Sequence, residues 1–308
     1  MHVVEKAHAK VNLSLLVGPM RPDGYHELFT IFMPIALYDE LSFCLRCGPG
    51  SAPPGNITLD SPGMDGEDNL VLRALRSLER TAGRAISGEV TLCKGIPVGA
   101  GLGGGSADAA LALLCGARLL SEEAGVRLSA ETLHGLARDL GADVPFFLGR
   151  GPAIGRGIGD RLVSIALPSL HLVLLPSTTS LKTPAVYAAF DRVAPPITAA
   201  SFAVRTAGVE SQWRGLAAGK DGRPADPSVT RTVAGLLAND LEVATFSLMP
   251  RLAEDRQAII AAGALGALMS GSGPTLFGVC ASEWEAELVC ARLQARGYAA
   301  YPVDTLCG

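Results

Sequence analysis

The chain has 308 residues and carries 26 basic and 30 acidic side chains, for a formal net charge of −4. Hydrophobic residues make up 48% and charged residues 18%, which supports a sizeable core and excludes global disorder. The charge balance excludes the broad basic surface of a nucleic-acid-binding protein, and no run of about eighteen apolar residues predicts a membrane span. We therefore expect a cytoplasmic protein.

The first predicted element is a strand over residues 3–17, in which apolar and polar side chains alternate. Its polar side carries Lys10, Asn12 and Ser14. We therefore expect one buried face and one solvated face.

The other predicted elements follow from periodicities of two for strands and about 3.6 for helices. Beyond a turn at Pro22-Asp23-Gly24, strands are predicted at 37–45, 57–59, 89–93, 171–175, 275–280 and 298–303. Helices are predicted at 69–81, 106–120, 129–140, 183–190, 228–248, 251–262 and 283–296. Residues 48–66 and 206–228 are predicted to form loops. A domain boundary is predicted near residue 165, which gives domains 1–165 and 166–308.

Seven cysteines include one C-x-x-C pair, Cys44 and Cys47. No second pair or nearby histidine completes a metal site, and the pair lies in a predicted strand rather than at the start of a helix. We expect idle thiols in a reducing compartment and predict no metal ligands.

A glycine-rich loop, Pro-Val-Gly-Ala-Gly-Leu-Gly-Gly-Gly-Ser-Ala-Asp, spans residues 97–108. Its bare N–H groups can approach a ligand closely, and the helix predicted to begin at Ser106 adds a positive dipole end. A flexible linker is the alternative, but linkers seldom stand between a strand and an apolar helix. The candidate phosphate-binding residues are Pro97, Gly99, Gly101, Leu102, Gly103, Gly104, Gly105 and Ser106.

Three phosphate-binding designs can be compared with this loop. A Walker A loop requires a lysine after its last glycine, and Gly105 is followed by Ser106. The glycines match G-x-G-x-x-G, but a dinucleotide fold requires a strand after the helix, where a second helix is predicted. The third design is a glycine loop of another kinase lineage, in which Ser106 reaches a metal. The third design predicts that the protein binds ATP with Mg²⁺. A dinucleotide-dependent oxidoreductase and a non-catalytic binding protein remain the alternative functions.

Three motifs in order resemble those of the GHMP kinases, the family of galactokinase, homoserine kinase and mevalonate kinase. They are Ala9-Lys-Val-Asn-Leu13, the glycine loop, and Met269-Ser-Gly-Ser-Gly-Pro-Thr275. The resemblance implies ATP-dependent phosphorylation of a small-molecule alcohol. It also implies an α+β, two-domain GHMP-kinase-like fold. In such a fold, a ribosomal-protein-like N-terminal domain would carry the ATP loop, a ferredoxin-like C-terminal domain would follow, and the substrate cleft would lie between them.

Finer motifs resemble one member of this family, a kinase of a cytidine-diphosphate alcohol. They are Asp23-Gly-Tyr-His-Glu27, Asp68-Asn-Leu70 and Gly141-Ala-Asp-Val-Pro-Phe-Phe147. The first is the most discriminating, because other GHMP kinases lack it. Ala107 departs from the second serine of many relatives, but Ser106 is retained. A homoserine-type or mevalonate-type acceptor remains the alternative.

The resemblance further implies roles for individual residues. Asp143 would be the general base, although by itself it would be interpreted as a helix cap. Lys10 would stabilise the developing charge and keep Asp143 ionised, although a strand lysine is usually just solvated. Ser270 and Ser272 would brace the phosphate loop. The adenosine candidates are Asn69, Leu70 and Lys94.

The substrate-binding candidates follow from the same resemblance. They are Asn12, Tyr25, His26, Thr183 and Tyr187, with Phe190 as the alternative to Tyr187 for stacking on cytosine. We expect a small-molecule substrate, no nucleic-acid or membrane partner, and a monomer or weak homodimer.

Overall fold

A computed structural model describes residues 1–48, 54–177, 179–216 and 226–307. The strands are β1 His2–Met20, β2 His26–Cys47, β3 Ile57–Asp60, β4 Ile86–Cys93, β5 Ala153–Gly157, β6 Arg161–Ser164, β7 His171–Leu175, β8 Ala238–Asn239, β9 Gly266–Met269, β10 Leu276–Cys280 and β11 Tyr301–Asp304. The helices are α1 Leu70–Ala82, α2 Gly104–Ala124, α3 Ala130–Leu140, α4 Val144–Phe147, α5 Thr183–Val193, α6 Ala199–Gly215, α7 Pro227–Leu236, α8 Glu242–Leu248, α9 Arg251–Ala261 and α10 Glu283–Gln294. This mixture confirms the α+β prediction.

The chain divides into two compact units, each built from separate stretches of sequence. Unit 1 comprises Met1–Ala9, Leu37–Ile96 and Gly103–Gly149, and unit 2 comprises Lys10–Ala36, Pro97–Leu102 and Arg150–Gly308. The long strands β1 and β2 therefore contribute residues to both units. The division predicted near residue 165 stays a prediction.

In unit 1 two helices cover a small sheet. β4 pairs antiparallel with the second half of β2 and parallel with β3. α1 and α2 pack against each other, and their apolar faces share a core with the sheet. Phe43, Leu75 and Leu113 are fully buried in this core. Because α3 follows α2 where a dinucleotide fold requires a strand, the structure agrees with the exclusion of that fold.

In unit 2 the chain forms strand pairs beside a separate four-stranded sheet. β1 pairs parallel with β8, and the first half of β2 pairs antiparallel with β5. The separate sheet is antiparallel, in the order β11-β7-β10-β9. Helices α9 and α10 pack on it through Ile259 and Leu293.

Several predicted elements were wrong. β1 is buried on both faces from Ala9 to Val17, rather than on one. The single helix predicted at 228–248 is interrupted by β8. Residues 206–215 of the predicted loop belong to α6, while 217–225 lie outside the described residues. No helix in the described part of the chain has the length and apolar character needed to cross a membrane.

Candidate active site

The first part of the glycine loop, residues 97–102, belongs to unit 2 and is held against β1. The backbone N–H of Lys10 donates to the Leu102 carbonyl at 3.0 Å, and the Lys10 ammonium donates to the Gly101 carbonyl at 3.1 Å. Gly101 has a φ of +78°, and a Cβ there would lie 2.5 Å from the carbonyl oxygen of Ser270. Glycine is therefore required at this position.

Lys10 is only 3% exposed, so the prediction of a solvated face on β1 was wrong. Its ammonium donates to the Asn12 amide oxygen at 2.7 Å. The Asn12 amide in turn donates to the Thr30 hydroxyl at 2.8 Å, and this hydroxyl donates to the Ser14 carbonyl at 2.8 Å. Because a buried ammonium is costly unless it is hydrogen-bonded, this chain of polar groups fixes the position of Lys10. The structure thus brings the predicted residues Lys10 and Asn12 together.

The third motif forms a turn between β9 and β10. The Ser270 hydroxyl donates to the Gly101 carbonyl at 3.1 Å, and the Thr275 N–H donates to the Ala100 carbonyl at 3.3 Å. Ser270 therefore braces the glycine loop, as predicted. Ser272 instead exchanges a hydrogen bond of 2.9 Å with the predicted substrate residue Thr183.

The second part of the glycine loop, residues 103–106, belongs to unit 1 and opens α2. Gly103 is the N-cap with φ +76°, and the helix begins at Gly104, two residues earlier than predicted. The first N–H groups of a helix have no intrahelical acceptor, so they can bind an anion. A Cβ on Gly104 would lie 3.0 Å from Cγ2 of Ile96 and 3.2 Å from Nζ of Lys94. The Lys94 ammonium therefore lies close to the start of this helix.

Lys94 is held by two buried carboxylates. Its ammonium donates to Asp39 and, at 2.9 Å, to Asp108. Asp39 also accepts the N–H groups of Gly95 and Ile96, at 2.7 and 2.8 Å. Burial raises the pKa of Asp108 to about 7, and the neighbouring Lys94 opposes this shift. Sequence reasoning missed Asp39, because a single strand carboxylate carries no motif.

Asn69 and Leu70 lie at the start of α1. The Asn69 amide oxygen accepts the Val71 N–H at 2.9 Å, and its amide nitrogen donates to the Met64 carbonyl at 2.7 Å. Asn69 therefore caps this helix. Leu70 lies beside the opening of α2, with its Cδ1 3.7 Å from the position of a Cβ on Gly105. Adenosine contacts by this pair stay a prediction.

Asp143 stands immediately before α4, at the position of a helix cap. Within the described residues, the Asp143 side chain makes no capping hydrogen bond to α4. An aspartate before a helix commonly makes such a bond. Its function as a proton acceptor stays a prediction.

An aromatic cluster in unit 2 contains most of the predicted base-binding residues. Tyr187 stacks on His26 with ring centroids 5.7 Å apart and an interplanar angle of 22°. Phe190 meets His26 edge-on at 6.0 Å and is only 5% exposed, so it belongs to the core. Tyr25 is 59% exposed. A ligand therefore has more access to Tyr25 and Tyr187 than to Phe190.

Both ring nitrogens of His26 are engaged. Nδ1 lies 2.8 Å from the Gly18 carbonyl oxygen, and Nε2 lies 2.9 Å from a carboxylate oxygen of Asp191. Sequence reasoning missed Asp191, although it follows Tyr187 by four residues on the same helix and therefore faces the same side.

The cysteines form no site in the described structure. Cys44 is exposed and Cys47 is buried, as expected for residues three apart on a strand, whose side chains point to opposite faces. Burial raises the pKa of the Cys47 thiol. Over the described residues, no group of three His, Cys, Asp or Glu side chains could hold a metal ion.

The chain is similar to known proteins along nearly its whole length. Residues 69–151 match the family described as GHMP kinases N terminal domain, and residues 230–299 match GHMP kinases C terminal. It is 40% identical over 304 residues to 4-diphosphocytidyl-2-C-methyl-D-erythritol kinase of Nocardia farcinica, covering 96% of this chain and 91% of the relative. It is 41% identical over 296 residues to the protein of the same name from Pelotomaculum thermopropionicum, covering 95% and 94%.

Solved structures of similar proteins agree with these family matches. A crystal structure of 4-(cytidine 5'-diphospho)-2C-methyl-D-erythritol kinase matches with a TM-score of 0.72 and 35% identity, covering 99% of this chain and 100% of that one. Homoserine kinase from Cytophaga hutchinsonii matches with a TM-score of 0.69 and 21% identity, over 99% and 94%, which shows a shared fold. Together the fold, the glycine loop and the relatives define an ATP-dependent small-molecule kinase. The chain belongs to the GHMP kinase family, with the two-domain fold predicted for it.

Proposed function

We propose that this kinase transfers the γ-phosphoryl group of ATP to the 2-hydroxyl of 4-(cytidine 5'-diphospho)-2-C-methyl-D-erythritol, in non-mevalonate isoprenoid precursor biosynthesis. The observation that carries the proposal is the full-length similarity, at about 40% identity, to several kinases named for this substrate. The Asp23-Gly-Tyr-His26 motif, specific to that kinase, supports it further.

The cytidine end of the substrate would bind beside the aromatic cluster of His26, Tyr187 and Phe190. A cytosine ring has two flat faces, which aromatic side chains contact favourably. Tyr25 and Tyr187 are the side chains that we assign to stacking, and Thr183 opens the same helix as Tyr187. Asn12 would contact the acceptor alcohol.

The transfer would be direct and in line. Asp143 would accept the proton of the attacking hydroxyl, a contribution of about 10²–10⁴-fold to the rate. Lys10 would stabilise the charge that develops on the transferred group, and its hydrogen bonds to Asn12 and Gly101 already hold it in place.

The ATP phosphates would bind to the N–H groups of residues 99–106. Asn69, Leu70 and Lys94 would line the adenosine pocket. Mg²⁺ is usually held by substrate phosphates with only one or two protein ligands, so a large cluster of carboxylates is not required. Ser106, in the first turn of α2, would contact this ion, whose chemistry would be to offset phosphate charge. Cytoplasmic location and a monomer or weak homodimer stay predictions.

The decisive experiment is an acceptor assay with ATP and Mg²⁺. The purified protein would be offered the cytidine-diphosphate alcohol, homoserine and mevalonate, and phosphorylated products would be identified by mass spectrometry. We expect turnover of the first acceptor only. Turnover of another alcohol, with none of the cytidine compound, would refute the proposed substrate while leaving the kinase class intact.

Replacement of Asp143 tests the proposed base. Asp143→Ala should lower kcat at least about 10²-fold, because no carboxylate remains to accept the proton. The dissociation constant for an ATP analogue, measured by calorimetry, should change little. If the variant retains most of the parent rate, Asp143 is not the base.

A further inference from the structure

Asn239 lies outside every motif considered so far, yet its side chain is almost fully hydrogen-bonded inside unit 2. It ends β8 and is 8% exposed. Its amide nitrogen donates to the carbonyls of Met269 and Gly271, both at 2.8 Å, and its amide oxygen accepts the Leu241 N–H at 2.9 Å. Two carbonyl acceptors and one N–H donor fit a primary amide in only one orientation, so these contacts fix the side chain.

The two carbonyls that Asn239 holds belong to the turn of the third motif. Gly271 has φ +60°, and a Cβ on it would lie 3.2 Å from the Gly101 carbonyl oxygen and 3.3 Å from Nζ of Lys10. The preceding residue, Ser270, donates its hydroxyl to the same Gly101 carbonyl. The turn therefore lies directly against the contact between the glycine loop and Lys10.

These contacts form one continuous path. Asn239 fixes the turn, the turn fixes the Gly101 carbonyl through Ser270, and that carbonyl accepts a hydrogen bond from the Lys10 ammonium at 3.1 Å. In a phosphoryl-transfer enzyme, small displacements of a charged donor are costly, because catalysis depends on its placement before the reaction.

We propose that Asn239 is a positioning residue for Lys10: its amide holds the 269–271 turn in the conformation that places the Gly101 carbonyl and the Lys10 ammonium. The proposal rests on the catalytic function proposed for Lys10. Asn239 would act through the turn, without touching either reactant.

The test is Asn239→Asp, a change of nearly the same shape. The new carboxyl keeps an oxygen for the Leu241 N–H, but when ionised it has no donor for the two carbonyls. We expect kcat to fall about 10–100-fold near pH 8, with the KM for the acceptor alcohol changed less than about threefold.

The matched control is Asp240→Asn, the next residue along the chain. Asp240 binds the Val17 N–H and Arg205, and neither contact involves the turn. We expect this variant to lose thermal stability while its kcat stays within about threefold of the parent. A kcat for Asn239→Asp within about twofold of the parent, or equal losses of kcat in both variants, would overturn the proposal.

A second variant and a binding measurement complete the test. If Asn239→Asp does not fold, Ser270→Ala removes the next link of the same path, and a kcat within twofold of the parent would overturn the proposal. Calorimetric titration with an ATP analogue, without acceptor, separates misplacement of Lys10 from general damage to the glycine loop. We expect the dissociation constant of the variants to stay within about threefold of the parent, and a loss of binding as large as the loss of kcat would overturn the proposal. The kcat comparison uses whichever alcohol the acceptor assay identifies, so it holds even if the cytidine compound proves not to be the acceptor.

Discussion

Two lysines lie beside different parts of the glycine loop, Lys10 at Gly101 and Lys94 at Gly104. In unit 2, Lys10 donates to the uncharged oxygens of Asn12 and Gly101. In unit 1, Lys94 donates to the carboxylates of Asp39 and Asp108. Lys10 donates to the Gly101 carbonyl of the loop, whereas Lys94 lies close to the first N–H groups of α2, where an anion would bind. The carboxylates beside Lys94 can take up protons, and burial raises the pKa of Asp108 to about 7. We infer that Lys10 serves the chemical step and that Lys94 serves nucleotide binding, in a way that depends on pH.

The largest expected effect separates the lysines by kinetics. Lys10→Ala should lower kcat about 10²–10³-fold, because it removes a preorganised donor from the transferred group. Lys94→Ala should mainly raise the KM for ATP, with kcat reduced less than about tenfold. Steady-state kinetics of both variants check this. Equal losses of kcat would remove the functional contrast.

The two parts of the glycine loop should also differ in stability. Gly101→Ala forces a side chain into a left-handed conformation and against the Ser270 carbonyl, so it should destabilise the fold by about 2–3 kcal/mol. Gly104→Ala lies in a helix, and the nearest atoms that its Cβ would meet belong to the side chains of Ile96 and Lys94, so its cost should stay below about 1 kcal/mol. Urea denaturation measures both values, and a larger cost at Gly104 would contradict the described packing.

The smallest expected effect is the pH dependence of the free energy of unfolding, which arises from Asp108 beside Lys94. Because burial raises the pKa of Asp108 to about 7, the folded state holds this proton more tightly than the unfolded state. The stability that the proton contributes is present at low pH and is lost as the pH rises through about 7. Asp108→Asn does not titrate, so its free energy of unfolding relative to the parent should rise by on the order of 1 kcal/mol between about pH 5 and pH 8. A constant difference over this range would contradict the raised pKa.

Local patterns predicted those parts of the fold that depend on neighbouring residues. β7 occupies the predicted residues 171–175. α3 begins one residue after its predicted start at Ser129, which is its N-cap, and ends at Leu140 as predicted. The predictions that were wrong concern residues whose surroundings are set by contacts with distant parts of the sequence. Alternation along β1 showed a polar side, but the groups that bury it come from remote parts of unit 2, such as Trp213, whose ring N–H donates to the Ser14 hydroxyl.

Trp213 itself lies in α6, within the segment predicted as a loop. Only Phe202, Thr206 and Trp213 are buried on this helix, too few to produce a clear period of 3.6. The predicted helix at 228–248 failed for a different reason. Asn239 and Asp240 use their side chains to bind the 269–271 turn and β1, and such residues favour breaks over helix interiors.

The candidate site, like the fold, was predicted only in part from the sequence. The glycine loop, Lys10 and Asn12 could be named because their motifs are contiguous in sequence. Asp39, Asp191 and Asn239 could not, because each acts on a motif residue from a segment without a motif of its own.

We propose that backbone N–H groups at the start of α2 bind the phosphates of ATP without a Walker lysine. A crystal structure with a non-hydrolysable ATP analogue and Mg²⁺ would show whether they do. We expect phosphate oxygens within about 3 Å of the backbone nitrogens of residues 103–106. Phosphates bound elsewhere, with these nitrogens facing solvent or protein, would contradict it.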